Sequence, residues 1–346
     1  MHVEEARSIA RRWLAEQAAP LPGFRGALWH GSILTIPDDA PLDPASDVDL
    51  MVVFDTPPAD LRPGKQPVEG VLLDLTVLPW ADIRDPESVL ANHQLAPSFR
   101  SPELLADPDG TLGALRDTIA REFARRPWVE RRVEAAAGKI GDSLGRIGPS
   151  APFAENTMSW LFGTGITTHV LLVAGLRNPT VRKRYIAARE LLVSTGMPSV
   201  HEELLGLLGS KELSPERIRH HLDTVEPAFD AAVSAIRTPV LFPASDLSPA
   251  ARPIAIDGSR SMIAAGDHRE AVFWIAVTWA RCMQVLHADS PELETRFGPA
   301  FRGMLADLGI QSVTDMQSRA AEIQAALPHL RATAHEIMDV IPKIED

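Results

Sequence analysis

The apolar positions of the N-terminal third predict one helix followed by short strands. Positions 3–19 carry apolar residues at the spacing of an amphipathic helix, which ends at Pro20. After it come short apolar runs that are rich in β-branched residues and bounded by Pro-, Gly- and Asp-rich segments, a pattern typical of buried strands. The predicted strands cover residues 24–29, 48–54, 71–78 and 104–106. Segments 35–45 and 56–67 are predicted to be loops.

Beyond the last of these strands the apolar residues recur every three or four positions, which is typical of helices that face a core. Capping boxes at Ser199 with Glu202 and at Thr314 with Gln317 predict two helix starts. The fold class is therefore predicted to be α+β, with a small mixed-sheet domain over residues 1–127 and an all-helical domain over residues 128–346.

Composition narrows the class of protein. A net charge of −12 over 346 residues argues against nucleic acid as a large partner, because phosphate binding requires clustered Lys and Arg. The single Cys282 excludes an internal disulfide framework and fits a reducing compartment. The N-terminal residues do not resemble a signal peptide, and we identify no apolar run of about 18 residues. We expect a cytoplasmic protein without a membrane partner.

Three carboxylates lie in strand-like apolar surroundings. Asp47 and Asp49 are two residues apart, so on one strand they point to the same face. Asp74 lies within the apolar run 71–77, which predicts a neighbouring strand. Clustered carboxylates are costly to bury unless a cation pairs with them. Oxygen ligands suit a hard ion, so the sequence predicts a magnesium site.

A Gly-Ser pair precedes these carboxylates, at Gly31 and Ser32 after His30. The ordered set of Gly-Ser, Asp-x-Asp and a later Asp on an apolar strand resembles the DNA-polymerase-β-type nucleotidyltransferase superfamily. The chain is most similar to bacterial aminoglycoside nucleotidyltransferases of the kanamycin and streptomycin type, and the segment 178–185 resembles their helical half. The motif covers roughly residues 24–80. One departure is the long Pro- and Asp-rich gap after Ser32, where the family has a short helix.

The resemblance implies transfer of AMP from ATP to a hydroxyl of a small polar acceptor, with an aminoglycoside as the sharpest candidate and a homodimer among the expected assemblies. Asp47 and Asp49 are expected to hold two Mg²⁺ ions. Asp74 is expected to complete the ion nearest the acceptor or to take the proton of the acceptor hydroxyl. Gly31 is expected to let the backbone approach the triphosphate, and Ser32 to donate hydrogen bonds to phosphate oxygens.

The helical part offers further candidates. Glu155, at a predicted helix start, is a candidate general base, with Glu130 and Glu134 as alternatives; a surface charge is the commoner role for each. A basic cluster could face the phosphates or form a solvated helix face, and it consists of Arg182, Lys183 and Arg184.

Other functions remain open at this stage. One is a protein-modifying nucleotidyltransferase of the antitoxin type, and another is a catalytically silent nucleotide-binding module. RNA nucleotidyl transfer is disfavoured by the net charge. The spacing from Arg281 to His287 resembles helical ribonucleases, although neighbouring aromatic residues favour an ordinary core helix.

Overall fold

One five-stranded sheet lies in the N-terminal part of the chain, and the C-terminal part is helical. The computed structural model describes residues 1–101, 103–240 and 242–346. The strands are β1 (Phe24–Trp29), β2 (Val48–Phe54), β3 (Gly64–Val68), β4 (Val71–Pro79) and β5 (Leu104–Ala106). They are ordered β3-β4-β2-β1-β5, and only β2 and β4 are parallel. The mixed α+β class is therefore confirmed.

One helix precedes the strands, two lie between β4 and β5, and the others follow β5. They are α1 (Val3–Trp13), α2 (Trp80–Ile83), α3 (Pro86–Ala91), α4 (Thr111–Glu122), α5 (Arg126–Leu144), α6 (Phe153–Ala174), α7 (Arg184–Ser194), α8 (Pro198–Leu208), α9 (Pro215–Ala235), α10 (Gly258–Ala264), α11 (His268–Asp289), α12 (Pro291–Asp307) and α13 (Val313–Val340). Short 3-10 turns cover Gly31–Leu34, Ala96–Arg100 and Ala244–Asp246. π turns extend α1 over Leu14–Ala18 and precede α10 over Pro253–Asp257.

Strand β3 corrects the prediction of a loop over residues 56–67. It pairs antiparallel with β4 through a two-residue turn, Glu69–Gly70, in which both residues have positive φ, +48° and +83°. Such turns match the twist of a hairpin. Pro67 made the segment resemble a loop, but β3 is an edge strand, where proline costs no ladder hydrogen bond on the solvent side. The other strands and the loop over residues 35–45 are confirmed.

Each face of the sheet has its own apolar layer. Alternate residues of β2, such as Leu50 and Val52, pack with α1 on one face. Met51 and Val53 point the other way and pack with α3 and α4. Successive side chains of a strand point to opposite faces, so a strand that is buried on both faces carries apolar residues at consecutive positions.

The helical part has one large core around α6 and α11, which pack against each other. Both helices are long and apolar enough to cross a membrane by length and composition, contrary to our expectation. The rest of the chain buries 78% and 83% of their apolar windows, as is usual for core helices of soluble proteins. The cytoplasmic location stays a prediction, and so does a domain boundary near Arg126 and Pro127, where α5 begins.

Two predicted capping boxes were wrong. Helix α8 begins at Pro198 after Met197, with no side-chain cap, so Ser199 already lies inside it. Helix α13 is capped two residues earlier than predicted, by Ser312 and Asp315, which bond each other's backbone N–H groups. Asp at the third helical position serves here in place of Glu or Gln.

Candidate active site

Asp47, Asp49 and Asp74 meet at one end of the central strand pair. Asp49 in β2 is directly opposite Asp74 in the parallel strand β4, and Asp47 immediately precedes β2. One carboxylate oxygen from each lies within 4.8 Å of the others. All three side chains are partly buried. We call these three residues the acidic triad.

The strand pattern explains why the triad forms. Asp49 and Asp74 share a sheet face with Met51 and Thr76, because side chains alternate along a strand. The residues between them point into the apolar layer beneath α1. A one-residue slip of register would bury the carboxylates in that layer, so the apolar pattern fixes Asp49 and Asp74 on the face that they share with Met51 and Thr76, where they line a cavity.

Lys65 is the cation nearest the triad. It is paired with Asp74 across the β3–β4 hairpin, so both side chains lie on one face. Lys65 Nζ is 2.9 Å from Asp47 Oδ2 and also contacts Asp74 Oδ2. The side chain is only 11% exposed, so solvent screens these contacts little.

A fourth carboxylate reaches the site from the helical part. Asp246 lies in the 3-10 turn Ala244–Asp246. One of its oxygens is 3.4 Å from Lys65 Nζ, and the other is 2.8 Å from Arg281 Nη2 of α11. Both side chains of the Asp246–Arg281 pair are almost fully buried. The pair therefore connects α11 with the edge of the sheet.

The ionisation of these groups is strongly coupled. Burial, reinforced by Asp47 and Asp74, raises the pKa of Asp49 well above its usual range. Burial also raises the pKa of Asp74, against the opposing effect of Lys65. Burial alone would lower the pKa of Lys65, but the surrounding carboxylates raise it overall, so its ammonium stays charged. A positive charge added at the triad would therefore stabilise the charged forms of Asp49 and Asp74, which burial disfavours.

Gly31 and Ser32 contact the triad directly. Gly31 has φ +66°, and a Cβ there would overlap the Asp49 carboxylate. The Ser32 backbone N–H lies close enough to lower the pKa of that carboxylate, against the effect of burial, while the Ser32 residue itself is exposed. The His30 ring bonds Ser98 Oγ, and burial lowers the pKa of His30 to about 4. In this structure the close approach that Gly31 permits is that of Asp49.

A cavity of about 620 Å³ opens above the triad. The segment 178–183 forms one wall, and Asn178 Nδ2 donates to the Gly31 carbonyl at 2.9 Å. Arg182 and Lys183 line the cavity, whereas Arg184 is buried against Phe273. Two of the three predicted cations therefore face the site, and the third belongs to the core.

The carboxylates considered as general bases do not line this cavity. Glu155 lies in the first turn of α6, about 21 Å along the helix from His169, which bonds Thr180 of the cavity wall. Glu134 forms an ion pair with Arg331. Glu130 is also absent from the lining.

The Arg281-to-His287 spacing does not form one site. Arg281 faces Asp246 at this cavity, whereas His287 lines a separate cavity near Glu294. These two residues of α11 therefore line different cavities. Most residues of the helix are buried, as expected of a core helix.

The residues present fit a hard divalent cation. The donors are three carboxylates, two on opposite positions of β2 and β4 and one immediately before β2, and within the described ranges they are the one cluster of three or more His, Cys, Asp or Glu residues close enough to share an ion. Carboxylate-only donor sets favour magnesium over softer metals.

Sequence reasoning missed Lys65 and Asp246, and it considered Arg281 only in a ribonuclease-like spacing, not as part of this site. The Glu69–Gly70 turn between two valines could have revealed the hairpin and placed Lys65 opposite Asp74. Asp246 lies in a Pro-rich connection, and the sequence gives no sign of its long-range partner.

No family model and no curated protein matches this chain. Membership of the nucleotidyltransferase superfamily therefore stays a prediction that rests on the motif and on the site geometry.

Proposed function

We propose that the chain is a magnesium-dependent nucleotidyltransferase that moves AMP from ATP to a hydroxyl of a small polar acceptor, on a nucleotidyltransferase-type fold. One observation carries the proposal: the acidic triad, the Gly31–Ser32 turn and the 178–183 wall converge on one cavity. Three carboxylates beside a loop with exposed polar groups are suited to metal-assisted phosphoryl chemistry.

The reaction balances without a further reactant. The acceptor hydroxyl oxygen forms a bond to the α-phosphorus, the bond from that phosphorus to the bridging oxygen breaks, and pyrophosphate leaves. The hydroxyl proton passes to a base, for which Asp74 is suited by its position, because it lies in the triad and lines the cavity. Bound magnesium would stabilise charge on the attacking and leaving oxygens.

Other residues of the chain position the substrates. Asp47 and Asp49 would hold the cations, while Arg182 and Lys183 line the cavity where they can pair with phosphate oxygens. Ser32 is exposed at the cavity and offers its hydroxyl. The wall near Trp274 and Ile254 provides apolar surface for the adenine ring of ATP or for a ring of the acceptor.

The charges of the lining favour a neutral or anionic acceptor over a polycationic aminoglycoside. Apart from the triad, Asp246 is the one carboxylate among the described lining residues, and Arg281 and Lys65 already pair with it. An ammonium group bound there would be desolvated without a free carboxylate. The acceptor is therefore better sought among neutral sugars and hydroxylated acids or phosphates.

The test incubates the protein with ATP, magnesium and acceptor panels sorted by charge. The expected product carries an added AMP, seen as a mass shift, together with released pyrophosphate. Asp47→Asn should abolish the product, and Asp39→Asn, in the exposed loop outside the cavity, is the matched control.

Two results would contradict the proposal. Undiminished transfer by the Asp47→Asn enzyme would remove the metal assignment. Release of phosphate instead of pyrophosphate from ATP would assign a different reaction to the cavity.

A further inference from the structure

The ammonium group of Lys65 lies between two sets of carboxylates. On one side it contacts Asp74 and is 2.9 Å from Asp47 Oδ2; on the other side Asp246 Oδ1 is 3.4 Å away. Lys65 therefore neutralises part of the triad and at the same time reaches a carboxylate that does not belong to it.

The backbone of Lys65 is held by the turn that carries Asp246. Its N–H donates to Ser245 Oγ at 2.8 Å, and a Cβ on Gly64 would overlap the same hydroxyl. Strand β3 is thus held closely against the turn that carries Asp246. A four-carbon side chain on such a fixed base can move its ammonium between neighbouring carboxylates without moving the strand.

Asp246 is arranged as a second partner for that ammonium. Arg281 occupies one of its oxygens at 2.8 Å, and the other oxygen faces Lys65. This carboxylate is buried and Arg281 is its closest cation, while Lys65, which stays mainly on the triad, is its second and more distant partner. When Lys65 leaves the triad, Oδ1 of Asp246 is the carboxylate oxygen that its ammonium can approach more closely.

We propose that Lys65 is a built-in counter-ion of the acidic triad, which pairs most closely with Asp47 and Asp74 in the metal-free protein and shifts from them onto Asp246 when a divalent cation binds. The inference rests on the metal site of the proposed function. Lys65 then has two effects of opposite sign: it stabilises the metal-free triad and it competes with the incoming cation.

Calorimetric titration of metal-free protein with magnesium chloride, without nucleotide, tests the competition. Lys65→Met should bind magnesium about tenfold more tightly or better, because one close positive charge no longer opposes the cation. Its melting temperature in chelator should fall, and magnesium should restore it. Lys183→Met is the control, since Lys183 lines the same cavity but forms no ion pair with the triad; its affinity should change less than about twofold.

A double-mutant cycle tests the transfer to Asp246. Asp246→Asn should weaken magnesium binding about threefold or more in the wild-type background, because Lys65 loses its second partner. The same substitution should have little effect in the Lys65→Met background. Equal weakening in both backgrounds would mean that Asp246 acts on the cation directly, and it would overturn the transfer.

Unchanged or weaker magnesium binding by Lys65→Met would overturn the counter-ion role, and Lys65→Gln serves if Lys65→Met does not fold. Because no nucleotide is present, these results are independent of AMP transfer. An inactive enzyme with the expected binding pattern leaves the counter-ion role standing, and an active enzyme without that pattern leaves the proposed function standing.

Discussion

The carboxylate of Asp49 lies where a side chain at Gly31 would begin. Gly31 has φ +66°, a left-handed conformation that glycine adopts without strain, and a Cβ there would overlap Asp49. The backbone N–H of the next residue, Ser32, favours the charged form of the same carboxylate and lowers its pKa against the effect of burial. The Gly-Ser turn therefore positions one member of the triad, in addition to any contact with phosphate.

Gly31→Ala is expected to displace Asp49 and to reduce turnover about 100-fold, since small shifts of a catalytic group cost that much. Stability should fall by about 1–2 kcal/mol from the left-handed backbone alone. Gly110→Ala is the matched control, because Gly110 has φ +76° with no atom within 4 Å of an added Cβ. It should lose similar stability and keep its turnover. Equal loss of turnover in both variants would show that backbone strain, not the clash with Asp49, is responsible.

Asp74, rather than Glu155, is expected to take the acceptor proton. Asp74→Asn should lower turnover about 10²- to 10⁴-fold, because both a metal ligand and a base are lost. Glu155→Gln should stay within about twofold of wild type, since Glu155 lies outside the cavity. Steady-state rates of AMP transfer compare the two variants directly. A large loss in Glu155→Gln would restore the assignment that the sequence suggested.

The sequence was sufficient for the parts of the site that follow from local pattern. Apolar alternation around Asp49 and Asp74 predicts two strands and, with them, one shared face. The pairing of those strands in parallel register then brings the carboxylates together. Residue spacing therefore predicted which carboxylates form the triad, and the parallel register of β2 and β4 places them opposite each other.

The contacts from the helical part could not be predicted in the same way. Asp246 and Lys65 are 181 positions apart in sequence, and neither lies in a motif that indicates the other. Their contact depends on how the 3-10 turn Ala244–Asp246 packs against the edge strand β3. Such packing is set by the whole core, and no short pattern in the chain encodes it.

The hydrogen bond between Asn178 and Gly31 is expected to hold the cavity wall against the Gly-Ser turn. Its partners are 147 positions apart and join at 2.9 Å. Asn178→Ala should cost about 1 kcal/mol of unfolding free energy, and Asn178→Asp should cost more, because a carboxylate facing a carbonyl oxygen is repelled. Urea denaturation gives both values. Gln94→Ala, also in the cavity lining, is a truncation control that should change stability by less than about 0.5 kcal/mol. If Asn178→Ala proves as mild as this control, the wall is held by other contacts.

The buried histidine His93 is expected to make the fold sensitive to acid. Burial, with a smaller effect of Lys139, lowers the pKa of His93 to about 4, and its ring lies 6.0 Å from that of His169. An unfolded chain takes up the proton near pH 6.5 and the folded protein only near pH 4, so the unfolded state binds more protons in between. Stability should therefore be fully present above pH 6.5 and fall as the pH drops to about 4.

This His93 contribution amounts to about 3 kcal/mol over the whole interval. His93→Leu should reduce the fall in unfolding free energy between the two pH values by that amount, with little loss at neutral pH, because Nε2 of His93 has no hydrogen-bond partner among the described residues. Urea unfolding at a series of pH values measures the difference. His335→Leu, at an exposed position of α13, should keep the wild-type slope. A wild-type slope in His93→Leu would mean that His93 is already protonated in the fold, or that its proton uptake is the same in both states.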